Sequence, residues 1–297
     1  MSAIPFDDLF DSEFLESLPR LHIVARRVAR GGRFAEQRSR DLGSGIEFQD
    51  FRPYSVGDDL RTIDWNIYQR LGKVFVRLFE ELEDLPLYLL PDTSRSQFLE
   101  DPPRIIAGLR ASLALASIAL NQHDRVGVFP FAHDLSVGLR PTSSPSRLMR
   151  IAQCLAGLEP GGTTDFERSL KRFESLSLRR GLVVIVSDFF DPKGVESLIA
   201  SFKQLRHKLL LVQLVRQTDR TPDLEGDVEV VDCETGEFEE ISLTPEMLSA
   251  YRESYDRFQE RLVTFAKQRS AGLLSLQVEQ DVVPQLAQLF EGGTYVP

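Results

Sequence analysis

Three short segments of this sequence carry oxygen-bearing side chains at spacings that suit a hard cation. Asp92-Thr93-Ser94-Arg95-Ser96 follows an apolar run, and Ser187-Asp188 closes another, Leu182-Val183-Val184-Ile185-Val186. Between them lies Gly161-Gly162-Thr163-Thr164-Asp165, just ahead of a helical pattern. Cations such as Mg²⁺ prefer oxygen ligands in an octahedron and retain several waters. The candidate metal ligands are therefore Asp92, Ser94, Ser96, Thr164 and Asp188, with Thr163 the rival to Thr164. Mg²⁺ or Mn²⁺ fits such a set, and Ca²⁺ is a further oxygen-seeking ion. Hydroxyls add ligation without charge, so a cation held by two carboxylates stays electrophilic and can accept a carboxylate from a partner protein. The competing reading is that Ser94, Ser96 and Thr164 merely cap helices, as such residues often do.

Other chemistry is sparse. The sequence has no G-x-x-x-x-G-K-[ST] run and no G-x-S-x-G elbow. His22, His123, His133 and His207 lack zinc-ligand spacing, and His133-Asp134 reads as a loop pair. Asp58, Asp59 and Asp64 form a second acidic group. Together with Asp92 and Asp188 it could serve a Mg²⁺-dependent hydrolase, although Arg95 is the only basic residue in the three loops to clamp a phosphate. The alternative is structural. One of Asp58 and Asp59 caps a helix starting near Leu60, while Asp64 pairs with Arg52 and Arg61 beneath a buried Trp65 and Tyr54.

The elements that must position these residues follow from hydropathy. Apolar runs at 85–90, 182–186 and 209–215 predict buried strands. Helical patterns occupy 104–122, 146–157, 166–176, 195–206, 245–268 and 282–290. A strand pair is expected at 125–131 and 135–139, a hairpin at 228–242 turning at Glu234-Thr235-Gly236, and a strand at 273–278. Buried strands alternating with helices predict an α/β fold, a doubly wound and mostly parallel sheet covered on both faces. In such sheets the site lies beyond the carboxyl ends of the strands, where the three loops fall. Residues 1–84 read as a smaller N-terminal leader, and 85–297 as the main domain. Within the leader, apolar spacing from Leu18 to Val28 predicts an amphipathic helix stopped by Gly31-Gly32, and 46–48 and 73–79 alternate like strands.

The 297 residues suffice for a large core without staples. Thirty-five basic against forty-five acidic residues give a net charge of −10, which argues against nucleic acid or an anionic membrane surface as the main partner. Two cysteines, Cys154 and Cys233, are too few for a disulfide framework and point to a reducing, cytoplasmic setting. The acidic start is unlike a signal peptide. The longest apolar or small stretch, 111–120, is about half a membrane span, so no span is expected.

Asp92-x-Ser94-x-Ser96, the Gly-Gly-Thr ahead of a helix and Ser187-Asp188 resemble the metal-ion-dependent adhesion site of the von Willebrand factor A fold, a Rossmann-like architecture. The upstream Glu47-Phe48, Gly57-Asp58-Asp59, Arg61 and Ile63-Asp64-Trp65 resemble the hallmark of domain-of-unknown-function family fifty-eight (DUF58), whose members join such a leader to an A-type domain. The resemblance spans about 43–290. It implies Asp92, Ser94 and Ser96 in the first metal loop, a threonine in the second and Asp188 in the third, where Ser187 replaces the commoner threonine. Pro91 and Gln97 depart from the family's aliphatic residue and methionine. The resemblance further implies a non-catalytic, metal-dependent interaction module acting as adaptor or co-chaperone of a MoxR-type AAA+ ATPase. The remaining readings are the Mg²⁺-dependent hydrolase and a structural domain with a degenerate metal site.

Overall fold

The computed structural model describes residues 4–31, 46–55, 63–81, 85–224 and 226–292. The chain divides into two bodies, residues 1–30 with 85–297 and residues 31–84. Helices α1 (Phe6–Leu9) and α2 (Ser12–Gly31) begin the chain. Leu9, Phe10, Phe14, Leu18 and Leu21 are buried in the core of the larger body. Each such side chain contributes about 1.5–3 kcal/mol by leaving water, which ties this segment to the distant main domain rather than to the residues that follow it. Arg110 fixes the join. Its Nε donates to Leu9 O at 2.7 Å, and its guanidinium reaches Asp11 at 2.5 Å.

The smaller body contains an antiparallel ribbon of β1 (Ile46–Pro53) and β2 (Phe75–Glu81), irregular between Phe48 and Asp50. Between the strands lies the short helix α3 (Trp65–Leu71). Asp64 is its N-cap, accepting from Asn66 N at 2.9 Å and Ile67 N at 3.1 Å. Gly72 ends it at φ 64°, a left-handed conformation that glycine adopts without a Cβ penalty. Trp65 is 59% exposed, contrary to the expectation of a buried indole. As the first residue of a seven-residue helix, it projects from the turn rather than beneath it. The proposed roles of Asp58, Asp59 and Arg61 fall outside the described residues.

The larger body continues with β3 (Leu87–Pro91), α4 (Arg104–Asn121), β4 (Val126–Val128), β5 (Leu139–Thr142) and α5 (Leu148–Ala156). Next come α6 (Phe166–Ser175), β6 (Leu182–Ser187), α7 (Val195–Lys203), β7 (Lys208–Val215) and the single turn α8 (Gln217–Arg220). The chain then forms the hairpin β8 (Gly226–Val231) and β9 (Phe238–Leu243), and ends with α9 (Pro245–Arg269), β10 (Gly272–Gln277) and α10 (Val282–Gly292).

Six strands form one sheet in the order β10-β7-β6-β3-β4-β5, parallel except for β5. Alternation along each strand sends side chains to opposite faces. Leu87, Leu89, Val184, Val186, Leu210 and Val212 face a core shared with α4, α5 and α10. Tyr88, Leu90, Val183, Ile185, Leu209 and Leu211 face a second core with α6, α7 and α9. Helix α4 is apolar nearly all round and buried along most of its length, as expected of an internal helix.

The expected strand at 135–139 is displaced. β5 starts at Leu139, and the preceding segment makes only the bridge Phe131–Leu135. Pro130 lacks an N–H for a ladder, and Ser136 N and Gly138 N instead turn back onto Pro130 O and Val128 O.

From β3 the chain moves to β4 on one side and returns to β6 on the other. The carboxyl ends of β3 and β6 therefore flank the topological switch point, where open α/β sheets hold ligands.

Candidate metal centre

β3 and β6 deliver the two aspartates. Asp92 N donates to Val186 O at 2.9 Å, extending the ladder one residue past β3. The Asp92 carboxylate is 2% exposed and accepts from Ser94 N at 2.9 Å and Ser187 Oγ at 2.6 Å. Thr93 turns the other way, its hydroxyl donating to Phe131 O at 2.9 Å. That explains why alternate residues of the loop are available. Ser94 Oγ and Ser96 Oγ lie 3.0 Å apart.

Asp188 follows β6 and is 8% exposed. Its carboxylate accepts from Phe190 N at 3.1 Å and Gln97 Nε2 at 2.9 Å, and Arg104 Nε stands 3.9 Å away. Phe189 holds φ at 65°, unusual for an aromatic residue. Its ring is buried near Phe166 and Phe202, and its N–H donates to Ser187 Oγ at 3.0 Å. The strained turn thus fixes the direction of Asp188.

The Gly-Gly loop closes the third side. Gly161 N donates to Thr93 O at 2.7 Å, and a Cβ on Gly161 would meet the Ala132 Cβ at 2.7 Å. Gly162 sits at φ 88°, and its carbonyl accepts from Arg95 N at 2.8 Å. Asp165 belongs to the next helix. It caps α6 through Arg168 N at 2.9 Å and meets Lys193 Nζ at 3.1 Å.

A residue that sequence reasoning did not assign to the site lies among these hydroxyls. Glu234 Oε1 accepts from Ser96 Oγ at 3.1 Å and Thr164 Oγ1 at 3.0 Å, and Oε2 accepts from Thr164 N at 2.9 Å. This shared carboxylate places Thr164, rather than Thr163, with Ser96. Glu234 comes from the β8–β9 turn, 138 residues from Ser96, so no local spacing links the two. Gln97 and Arg104 were likewise unassigned. The first was visible as a departure from the family pattern, the second only as a helix residue.

Burial raises the proton affinity of both aspartates. Asp92 is pushed up to about 7, chiefly by desolvation and then by the charge of Asp188, against the hydrogen bonds from Ser187 and Ser94. Asp188 is raised by desolvation, against the pull of Arg104. Two buried like charges are relieved by either a proton or a metal ion. Gln97 Oε1, fully buried beside Asp188, has no hydrogen-bond partner, so an acceptor is left to spare. Among the described residues no group of three or more His, Cys, Asp or Glu is disposed to hold a metal ion. Any cation here would depend on the hydroxyls of Ser94, Ser96 and Thr164 beside Asp92 and Asp188, and that donor set suits Mg²⁺ or Mn²⁺.

Two cavities among the described residues lie elsewhere. One of 420 Å³ opens at the opposite strand ends near Tyr88, Arg125 and Arg179, and one of 330 Å³ opens near Gln217 and Gln280.

The fold and site define an α/β protein with an acidic and hydroxyl-rich constellation at its switch point. Residues 50–261 match the family described as protein of unknown function DUF58, and the chain belongs to that family. An uncharacterized protein of Mycobacterium bovis is 24% identical over 285 residues, covering 92% of this chain and 88% of the relative. Two solved structures show a partial likeness to this chain. The conserved hypothetical protein BatB from Bacteroides thetaiotaomicron is 14% identical with a TM-score of 0.44, covering 70% of this chain and 98% of that one. An aerotolerance-related membrane protein from Bacteroides fragilis is 16% identical with a TM-score of 0.41, covering 70% and 99%. Neither the family description nor these names assign an enzymatic activity.

The expectation of a chain without a membrane span is corrected. Helix α4, 18 residues at a mean hydropathy of 1.3, is long and apolar enough to cross a membrane by length and composition. The shorter stretch counted in the sequence stopped at Arg110, whereas the helix runs through it. In this fold 83% of that window is buried inside the protein.

Proposed function

We propose that this chain is a non-catalytic, divalent-metal-dependent protein-interaction module of von Willebrand factor A type. The observation that carries this reading is the set Asp92, Ser94, Ser96, Thr164 and Asp188, linked through Ser187 and Glu234 at the carboxyl ends of β3 and β6. Bound Mg²⁺ or Mn²⁺ would supply a compact positive charge able to take a further oxygen ligand. The chain's own part is to bury two carboxylates beside neutral hydroxyls, so that the ion keeps net positive character. The family resemblance supplies the partner class, a MoxR-type AAA+ ATPase, with this chain as adaptor or co-chaperone. The cytoplasmic setting belongs to the same reading, supported by two free cysteines, Cys154 and Cys233.

The hydrolase reading finds less support. Asp64 is committed to a helix cap in the other body. Lys193 and Arg168, the cations near the Gly-Gly loop, pair with Asp165 and Asp134 rather than standing free for a phosphate. Calorimetric titration with Mn²⁺ tests the proposal. The wild-type protein should bind one ion and Asp92→Asn none, with both proteins folded. Equal binding by the two would remove Asp92 from the site and the reading with it.

A further inference from the structure

Glu234 stands where a visiting carboxylate would stand. Three donors converge on it, Ser96 Oγ, Thr164 Oγ1 and Thr164 N, at 2.9–3.1 Å. Two of these donors are hydroxyls of the candidate metal set. The side chain does not reach them by accident of a loose loop. Asp232 Oδ1 accepts from Glu234 N at 2.7 Å and Thr235 N at 3.0 Å, and Gly236 N donates to Asp232 O at 2.8 Å. The hairpin tip is thus a braced turn that presents one acidic side chain. Hydrogen bonds to an ionised acceptor are the stronger kind.

Nearly all of β8 and β9 is exposed, including Val230, Val231 and Phe238. Across the site, the buried Gln97 Oε1 beside Asp188 lacks a partner. The constellation therefore holds unused acceptor capacity on its inner side and a carboxylate on its outer side. A divalent ion taken up by Ser96 and Thr164 would have the Glu234 carboxylate, already bonded to both hydroxyls, available as a further oxygen donor.

We infer that Glu234 is an internal ligand of this centre, occupying the coordination position that an external carboxylate must take. The inference rests on the metal-dependent reading above and adds a residue and a competition to it. A tethered carboxylate acts at an effective concentration in the millimolar range for a short connection. External ligands then bind only to the fraction of molecules whose hairpin has swung away, and their apparent affinity falls by that fraction. The β8–β9 hairpin would be the moving element, since its side chains bury little.

The test uses the full chain loaded with Mn²⁺, comparing wild type, Glu234→Gln and Asp92→Asn. Mn²⁺ affinity is read by electron paramagnetic resonance, and metal-bound water by proton relaxation. Glu234→Gln should weaken Mn²⁺ binding by about tenfold, since fewer charged ligands mean lower affinity, and should gain relaxivity because water enters the vacated position. Acetate should reverse that gain in Glu234→Gln and leave the wild type unchanged. The inference is overturned if Glu234→Gln matches wild type in both affinity and relaxivity while Asp92→Asn fails to bind, a result that leaves the metal centre standing. Absence of Mn²⁺ binding in the wild type would overturn the centre and, with it, the internal ligand.

Discussion

Asp64 and Asp92 are both buried aspartates, 7% and 2% exposed, yet the two bodies use them differently. Asp64 sits at the start of α3, where its carboxylate meets two backbone N–H groups that the helix leaves free. Asp92 accepts two hydrogen bonds as well, but it shares its surroundings with Asp188 and its proton affinity is raised. Equal burial therefore does not imply equal purpose. A carboxylate matched to an orphaned helix terminus is structural. One held beside a second buried carboxylate and three hydroxyls retains a demand for positive charge.

The comparison can be broken at the counter-charge. Arg104 is the cation beside Asp188, and it also joins Asp219 at 2.5 Å and Glu100 at 2.8 Å while nearly fully buried. Arg104→Met should cost about 3–5 kcal/mol, the usual loss when one partner of a buried ionic set is removed. Chemical denaturation measures it. A loss below ~1 kcal/mol would show that the acidic edge needs no fixed cation.

Metal should separate the two aspartates next. With Mg²⁺ at a hundredfold over its dissociation constant, the wild type should gain about 2.7 kcal/mol of stability. Asp92→Asn should gain nothing, and its metal-free form should be at least as stable as the wild type because a buried repulsion is gone. Thermal melts with Mg²⁺ and with EDTA would show both effects. Asp64→Ala should behave oppositely, losing about 1 kcal/mol as a helix cap does, by the same amount with and without Mg²⁺. A metal-dependent loss at Asp64 would return it to an acidic ligand set.

The smallest effect lies at the other end of the sheet. His207 is buried just before β7 and accepts from Gly181 N at 3.2 Å through Nδ1. Desolvation lowers its pKa, against a smaller pull from Glu174. The folded state thus keeps His207 neutral where the unfolded chain binds a proton. Its contribution is present above the ordinary value of about 6.5 and is lost as pH falls through the lowered folded value. His207→Gln should flatten the stability profile below the ordinary histidine value of about 6.5. An unchanged profile would place the acid sensitivity elsewhere.

Much of this arrangement was readable in the sequence, because the signals were local. The LVVIV run reads as a buried strand, and α4 is apolar nearly all round. The Gly-Gly pair marked a loop where backbone passes close to Ala132 and turns at positive φ. Asp92 and Asp188 were legible because strand ends at a switch point place residues without help from distant contacts. The missed features depend on long-range contacts. Glu234 reaches the site from a hairpin whose sequence resembles any exposed turn. Leu9, Phe10 and Phe14 look like a leader helix until the groove beside α4 is known. Trp65 invited burial by its size, but the first residue of a short helix has little to pack against.

Asp92, Asp188 and their hydroxyl neighbours are proposed to form one divalent-metal centre. Crystals grown with Mn²⁺ and measured at its absorption edge test it most directly. An anomalous peak is expected at the carboxyl ends of β3 and β6, with Ser94 and Ser96 oxygens bound to it and Asp92 and Asp188 bound directly or through water, as hard octahedral ions require. A fully ordered site with no anomalous peak at saturating Mn²⁺, or a peak confined to other carboxylates, would contradict it.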